Sequence, residues 1–198
     1  MANILQTINK AIVFPYKSHK LCTKIAPHFF SCRSLLDIGT RDGGLISKIA
    51  TNLGIQACAV DIEDRVCPPN VSFQKIQCDG RLPFENESFD GVLISDVLHH
   101  IMDDEVVMNL VMEAMRVGKV VVIKDHVLFT DRFYTMEHWV HKMCDWFGNA
   151  SFGISVPGKY KKLEEWKRLM EEMNVDVKSL EIFKYSCLDP LRHIIVVL

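Results

Sequence analysis

From Ser34 onward, short apolar runs of β character alternate with stretches whose apolar residues recur at steps of three and four. SLLDIG at 34–39 predicts a strand closed by a glycine, and Leu45, Ile46, Ile49 and Leu53 predict a helix directly after it. Further strands are expected at 56–62, 71–77 and 89–97, then a helix from about Asp103 to Val117 carrying Val106, Val107, Leu110, Val111 and Met115. KVVVIKD at 119–125 is nearly unbroken and β-branched, as in a strand covered on both faces. Residues 161–173 predict an amphipathic helix, and VDVKSLEIFKYS and RHIIVVL predict two closing strands. Such alternation predicts an α/β protein with a mostly parallel sheet and helices on both faces.

Two segments stand outside the alternation. In 1–30, Ile4, Leu5, Ile8 and Ile12 predict a helical cap stopped near Pro15. In 126–160, Phe133, Met136, Trp139, Val140, Met143, Trp146 and Phe147 form an apolar stripe, expected as a helical lid insertion. The stripe suits packing on the domain, a pocket wall for an apolar acceptor, or a partner surface. The run Lys159–Lys162, with Tyr160 inside it, is expected to be a solvated approach to the next helix. At 198 residues, the chain is expected to form one domain over 1–198.

A net charge of −2 and a pI near 6.4 give no broad footprint for a nucleic-acid backbone. Without an apolar run near the ~20 residues of a membrane span, and with no leader pattern in MANILQTINK, a soluble cytoplasmic protein is expected. The seven cysteines are odd in number, scattered and free of C-x-x-C pairs, so reduced structural thiols are expected. The eight histidines carry no metal spacing, and His99 and His100 would diverge on a helix or strand, so no metal is expected.

The chemistry concentrates at Leu36-Asp37-Ile38-Gly39-Thr40-Arg41-Asp42-Gly43-Gly44, between the first strand and its helix. Glycine there permits positive φ and close ligand approach, and the helix start offers unpaired N–H groups. The second strand ends in Asp61, 22 residues beyond Gly39, a spacing at which a carboxylate accepts from a ribose diol. Asp79-Gly80 and Ser95-Asp96 follow later strands at the same carboxyl edge, where α/β sheets bind ligands. A dinucleotide site would place a glycine where Arg41 stands, and gains nothing from Asp37.

With Ala59-Val60-Asp61-Ile62, Cys78-Asp79-Gly80-Arg81-Leu82-Pro83-Phe84 and Ser88 to Ile101, the turn resembles, in order, the motifs of class I S-adenosylmethionine-dependent methyltransferases of the type 11 kind. The likeness covers about 34–125 and implies a Rossmann-like seven-stranded sheet whose last strand is antiparallel. It implies S-adenosylmethionine as cofactor and S-adenosylhomocysteine as product. Asp37 and the backbone of Gly39, Thr40, Arg41 and Gly43 would then hold the methionine end. Asp61 would bind both ribose hydroxyls and Ile62 would pack on the adenine. Asp79, with Gly80 close by, would take the adenine amino group, and Ser95 and Asp96 would flank the sulfonium. The chain departs from the family at Arg41, which replaces a glycine and either pairs with the cofactor carboxylate or points to solvent. Arg116-Val117-Gly118-Lys119 also shortens the usual approach to strand five.

Methyl transfer from a sulfonium is chiefly alignment, and a base is needed only where the acceptor must lose a proton. Base candidates at the sheet edge are His100, Asp125 and His126, with Asp96 and His99 beside them. The expected partner is a small-molecule acceptor, apolar or aromatic if the stripe lines its pocket, with O, N or C as the acceptor atom. Nucleic acid is not expected. The alternative from another class is a non-catalytic methyltransferase-like domain that binds a protein through the stripe.

Overall fold

A computed structural model of the protein describes residues 14–77, 81–128, 134–150, 160–187 and 189–198. The chain runs through helix α1 (Phe14–Ile25), a 3-10 turn (Ala26–Phe29), β1 (Ser34–Ile38), α2 (Gly44–Leu53), β2 (Gln56–Asp61), β3 (Val71–Lys75) and β4 (Phe89–Ser95). A second 3-10 turn (Leu98–His100) leads to α3 (Asp104–Val117) and β5 (Gly118–His126). Then come α4 (Tyr134–Ala150), α5 (Leu163–Glu172), β6 (Ser179–Phe183) and β7 (His193–Val197).

The strands form one seven-stranded sheet in the order β3-β2-β1-β4-β5-β7-β6. β3 to β5 pair in parallel, whereas β7 runs antiparallel to both β5 and β6. The predicted α/β class, the seven strands and the reversed last strand are all present. Strand periodicity divides the core in two: Leu36, Ile38, Val92, Ile94, Val121 and Ile123 meet α3 and α5, while Leu35, Leu93 and Val122 meet α1 and α2. Each of these side chains is at most 3% exposed, a burial that stabilises by about 1.5–3 kcal/mol per residue.

Asp103 caps α3 by accepting from the Glu105 N–H at 2.9 Å, and Asp104 and Glu105 place negative charge at the helix's positive end. The helix then passes directly into β5. Gly118 makes this junction, because a Cβ there would stand 2.3 Å from Val92 Cγ2. Arg116 donates to the Leu82 and Phe84 carbonyls at 3.0 and 2.8 Å, so the shortened approach also ties down the loop before β4.

Pro15 stands at the second residue of α1, where it lacks only an N–H that a helix start leaves unpaired, so a helix begins at this proline. The helix expected from Ile4 to Ile12 lies outside the described residues. Two local expectations change. His99 and His100 occupy a 3-10 turn, and their rings lie 4.3 Å apart at 35° instead of diverging. Finally, the Lys159–Lys162 run is not a solvated approach where it is described. Tyr160 is fully buried and Lys161, 3% exposed, donates to Asp104 at 2.6 Å. The reason is a parallel bridge between Leu128 and Lys162, which draws the segment against the end of β5.

Candidate functional site

The carboxyl ends of β1, β2, β4 and β5 come together at one edge of the sheet. After β1, the Gly39 and Thr40 amides both donate to the Val60 carbonyl, at 2.8 and 3.1 Å, which lashes the turn to β2. Gly39 has φ +76° and Gly43 φ +65°, conformations that cost a side chain. A Cβ on Gly39 would also lie 2.5 Å from Val97 Cγ2, in the segment after β4. The turn is closed internally: the Gly43 amide donates to Thr40 Oγ1 at 3.1 Å and the Gly44 amide to Asp42 Oδ1 at 3.0 Å. Arg41 does not extend into solvent. It lies partly buried with Nη2 3.8 Å from Asp42 Oδ2.

Asp37 points from β1 into this turn and is 6% exposed. Burial, with Asp42 and Asp61 adding to it, pushes its carboxyl up to about 7 against the bond from Thr40. Asp61 ends β2, is 7% exposed, and accepts from the Glu63 amide at 3.0 Å and from Arg65 Nε at 3.2 Å. Ile62 beside it is 54% exposed, an apolar platform next to the acid. Asp79 and Gly80 lie outside the described residues. A cavity of about 270 Å³ near Ser34, Gln56 and Phe89 opens at the opposite edge, by the strand starts.

Ser95 ends β4, and Asp96 follows at φ +57° with its amide on the Lys124 carbonyl at 2.8 Å. The Lys124 ammonium, 1% exposed, bonds both Asp96 oxygens at 2.5 and 2.7 Å. Burial raises the Asp96 carboxyl, but the Lys124 charge and the neighbouring His99 and His193 outweigh it and hold it at about 2.

Asp125 is a fully buried residue of β5 whose carboxylate accepts from His99 Nδ1 at 2.5 Å, the His99 amide at 3.3 Å and the His126 amide at 2.6 Å. The acid-paired ring is therefore His99, whereas burial and the neighbouring His99 lower His100 to about 4. His126 is also pushed well below the usual imidazole range by burial and by His193, His99 and Lys124.

Sequence reading missed the wider setting of this edge. The antiparallel register sets His126 opposite His193, with ring centroids 4.7 Å apart. His141 of α4 lies 5.4 Å from His126, and the rings of His99, His126, His138 and His141 all lie within 5.7 Å of Tyr160. No linear motif joins positions 99, 126, 141 and 193; only the fold does. α4 turns its histidine face inward, with His141 fully buried, while Met136, Trp139, Met143 and Trp146 are 62, 63, 41 and 53% exposed. Four of the described stripe residues thus form an exposed face and are not core, while Val140 is half-buried. Phe133 lies outside the described residues, as does the side chain of Phe147.

The turn, the buried acids and the exposed apolar neighbour Ile62 fit S-adenosylmethionine: paired positive-φ glycines admit a backbone-hugging ligand, and Asp61 sets a carboxylate at the same sheet edge. Residues 36–123 match the family model described as a methyltransferase domain. No curated protein matches the sequence. Among solved structures, the chain is similar to a SAM-dependent methyltransferase from Archaeoglobus fulgidus (16% identity, covering 100% of this chain and 93% of that one, TM-score 0.62). It is also similar to the YcgJ protein of Bacillus subtilis (17% identity, 90% and 97% covered, TM-score 0.60). A third is a SAM-dependent methyltransferase from Methanosarcina mazei (14% identity, 83% and 90% covered, TM-score 0.61). Residues 36–123 are thus a methyltransferase domain of the class I S-adenosylmethionine-dependent kind, with S-adenosylmethionine as its methyl donor.

Proposed function

We propose that this protein transfers a methyl group to a small molecule bearing an ionisable acceptor group, at the edge formed by β4 and β5. The observation that supports it best is the buried His99–Asp125 pair, 2.5 Å apart, at the same sheet edge as the glycine turn and Asp61. The cofactor supplies an electrophilic methyl on a sulfonium; the chain's own residues bind, orient and move the proton. Asp37 and the Gly39–Gly43 backbone hold the amino-acid end, Asp61 the ribose and Ile62 the adenine face, with Asp79 and Gly80 assigned to its amino group. Ser95 and Asp96 border the reacting region. With its Nδ1–H given to Asp125, His99 keeps a basic Nε2, and the carboxylate stabilises the imidazolium formed when that nitrogen takes the acceptor's proton. His100 and His126, both held below the usual imidazole range, are the weaker bases.

Calorimetry with S-adenosylmethionine, S-adenosylhomocysteine and NAD tests the cofactor half. Asp61→Ala is expected to weaken binding of the first two by about 1–3 kcal/mol, the scale of a buried hydrogen-bonding group losing its role. Equal affinity in a folded Asp61→Ala protein refutes the ribose assignment.

A second reading, a protein-interaction module, is favoured by one observation: the exposed Met136, Trp139, Met143 and Trp146 face of α4. Because Trp139 is 63% exposed, Trp139→Ala is expected to change stability by less than about 0.5 kcal/mol. A melting temperature several degrees lower would place that ring in a packed contact.

A further inference from the structure

We propose that Asp96, His99 and His126 form a binding site for a divalent transition-metal ion. Among the described residues, these three offer one ligand atom each, all within 4.8 Å of one another. Asp96 Oδ1 and His126 Nε2 are already 3.5 Å apart. Two ligands at ordinary metal–nitrogen and metal–oxygen distances around a tetrahedral ion stand about 3.4 Å apart, so small ring rotations close the set.

The ligands are fixed by the sheet. Asp96 and His99 follow β4, His126 ends β5, and the two strands pair through Ser95 and Lys124. Asp125 takes the Nδ1 proton of His99 at 2.5 Å, which leaves Nε2 as the ligating nitrogen and orients the ring; carboxylate–histidine–metal arrangements have this form. Two imidazoles and one carboxylate suit zinc, cobalt, nickel or ferrous iron better than magnesium or calcium. Three protein ligands leave a coordination position open, as in catalytic sites and unlike closed structural ones. Lys124 is the competitor, since it bonds both Asp96 oxygens. In the loaded site the ion takes Oδ1, on the His126 side, and Lys124 keeps Oδ2.

An ion on His99 Nε2 occupies the lone pair that the proposed base uses, so the metal-loaded and proton-accepting forms are alternative states of this edge. The test needs neither methyl donor nor acceptor, so its outcome is separate from that of the methyltransfer proposal. Full-length protein freed of metal is titrated with Co²⁺, followed by visible absorption, and with Zn²⁺ by calorimetry. One equivalent should bind. His126→Gln and His99→Gln should each weaken binding at least about a hundredfold, at or beyond the upper end for loss of an outer hydrogen-bond partner, and Asp125→Asn about tenfold. Lys124→Met should tighten it, a change in the opposite direction that general damage to the fold does not produce. A measurement on the unaltered protein guards against variants that fail to fold: Co²⁺ should shift the ring-proton resonances of His99 and His126 and leave those of His19 and His28 in place. No saturable binding at one equivalent overturns the proposal. So does binding whose shifted resonances belong to other histidines, or whose affinity is unchanged in folded His126→Gln protein.

Discussion

Asp37→Asn should melt at a higher temperature than the native protein at pH 8 and bind S-adenosylmethionine less tightly. The carboxyl is 6% exposed, and burial raises it from the ordinary 3.8 to about 7. Between those values the folded protein holds a proton that the unfolded chain has released, so stability falls as pH rises through this window. Below about pH 4 both states are protonated and the group costs nothing. Above 7 the folded state carries a buried charge, and at about 1.4 kcal/mol per pH unit the penalty reaches up to about 4 kcal/mol. Asparagine keeps an oxygen for the Thr40 bond and never ionises. With roughly 2–4 °C per kcal/mol for a chain of this length, the gain is measurable by thermal melts, and it should vanish at pH 4. A gap of the same size at both pH values would refute the cause. In the native protein, cofactor affinity should fall as pH drops from 8 to 6, because Asp37 must be ionised to meet an ammonium; the amide variant should lack that slope.

Asp96→Asn should lower stability by about 1–3 kcal/mol: it removes the carboxylate bonded to the Lys124 ammonium, 1% exposed, while the 39% exposure of the Asp96 side chain lets water screen part of the loss. Asparagine adopts the φ of +57° at position 96 readily, so the loss cannot be assigned to backbone strain. The sign with pH is opposite to that of Asp37. Asp96 is held at about 2, so the pair's contribution is present above about pH 4 and is lost as pH falls toward 2. Native and variant melts should therefore converge on acidification. A loss below about 1 kcal/mol at pH 7 would mean that Lys124 finds enough compensation in Tyr185, whose ring centroid lies 5.5 Å from its Nζ.

Much of this was legible in the chain because it is local or periodic. The strand-and-helix alternation, the turn at Gly39–Gly43 and the spacing to Asp61 depend on neighbours along the sequence, and each stands where its pattern placed it. What pattern could not supply depends on register. The pairing of His126 with His193 needs the antiparallel return of β7, and the choice of His99 over His100 needs to know which ring a 3-10 turn aims at Asp125. The burial of Tyr160 and Lys161 follows from a single bridge to Leu128, which no composition signals. Periodicity found the apolar stripe of α4, but hydrophobicity alone does not say which face meets the domain, and here buried His141 and half-buried His138 took that place.

The division of α4 into an inner and an outer face gives the protein an optical reporter of its own. Of the three tryptophans, Trp166 is 1% exposed and donates its indole N–H to the His126 carbonyl at 3.1 Å, whereas Trp139 and Trp146 are more than half exposed on the helix above the histidine cluster. Emission from Trp166 will track unfolding and resist aqueous quenchers. The two outer indoles will be quenched freely, so protection of their fluorescence when a ligand or partner is added reads out events at that helix while the fold is intact.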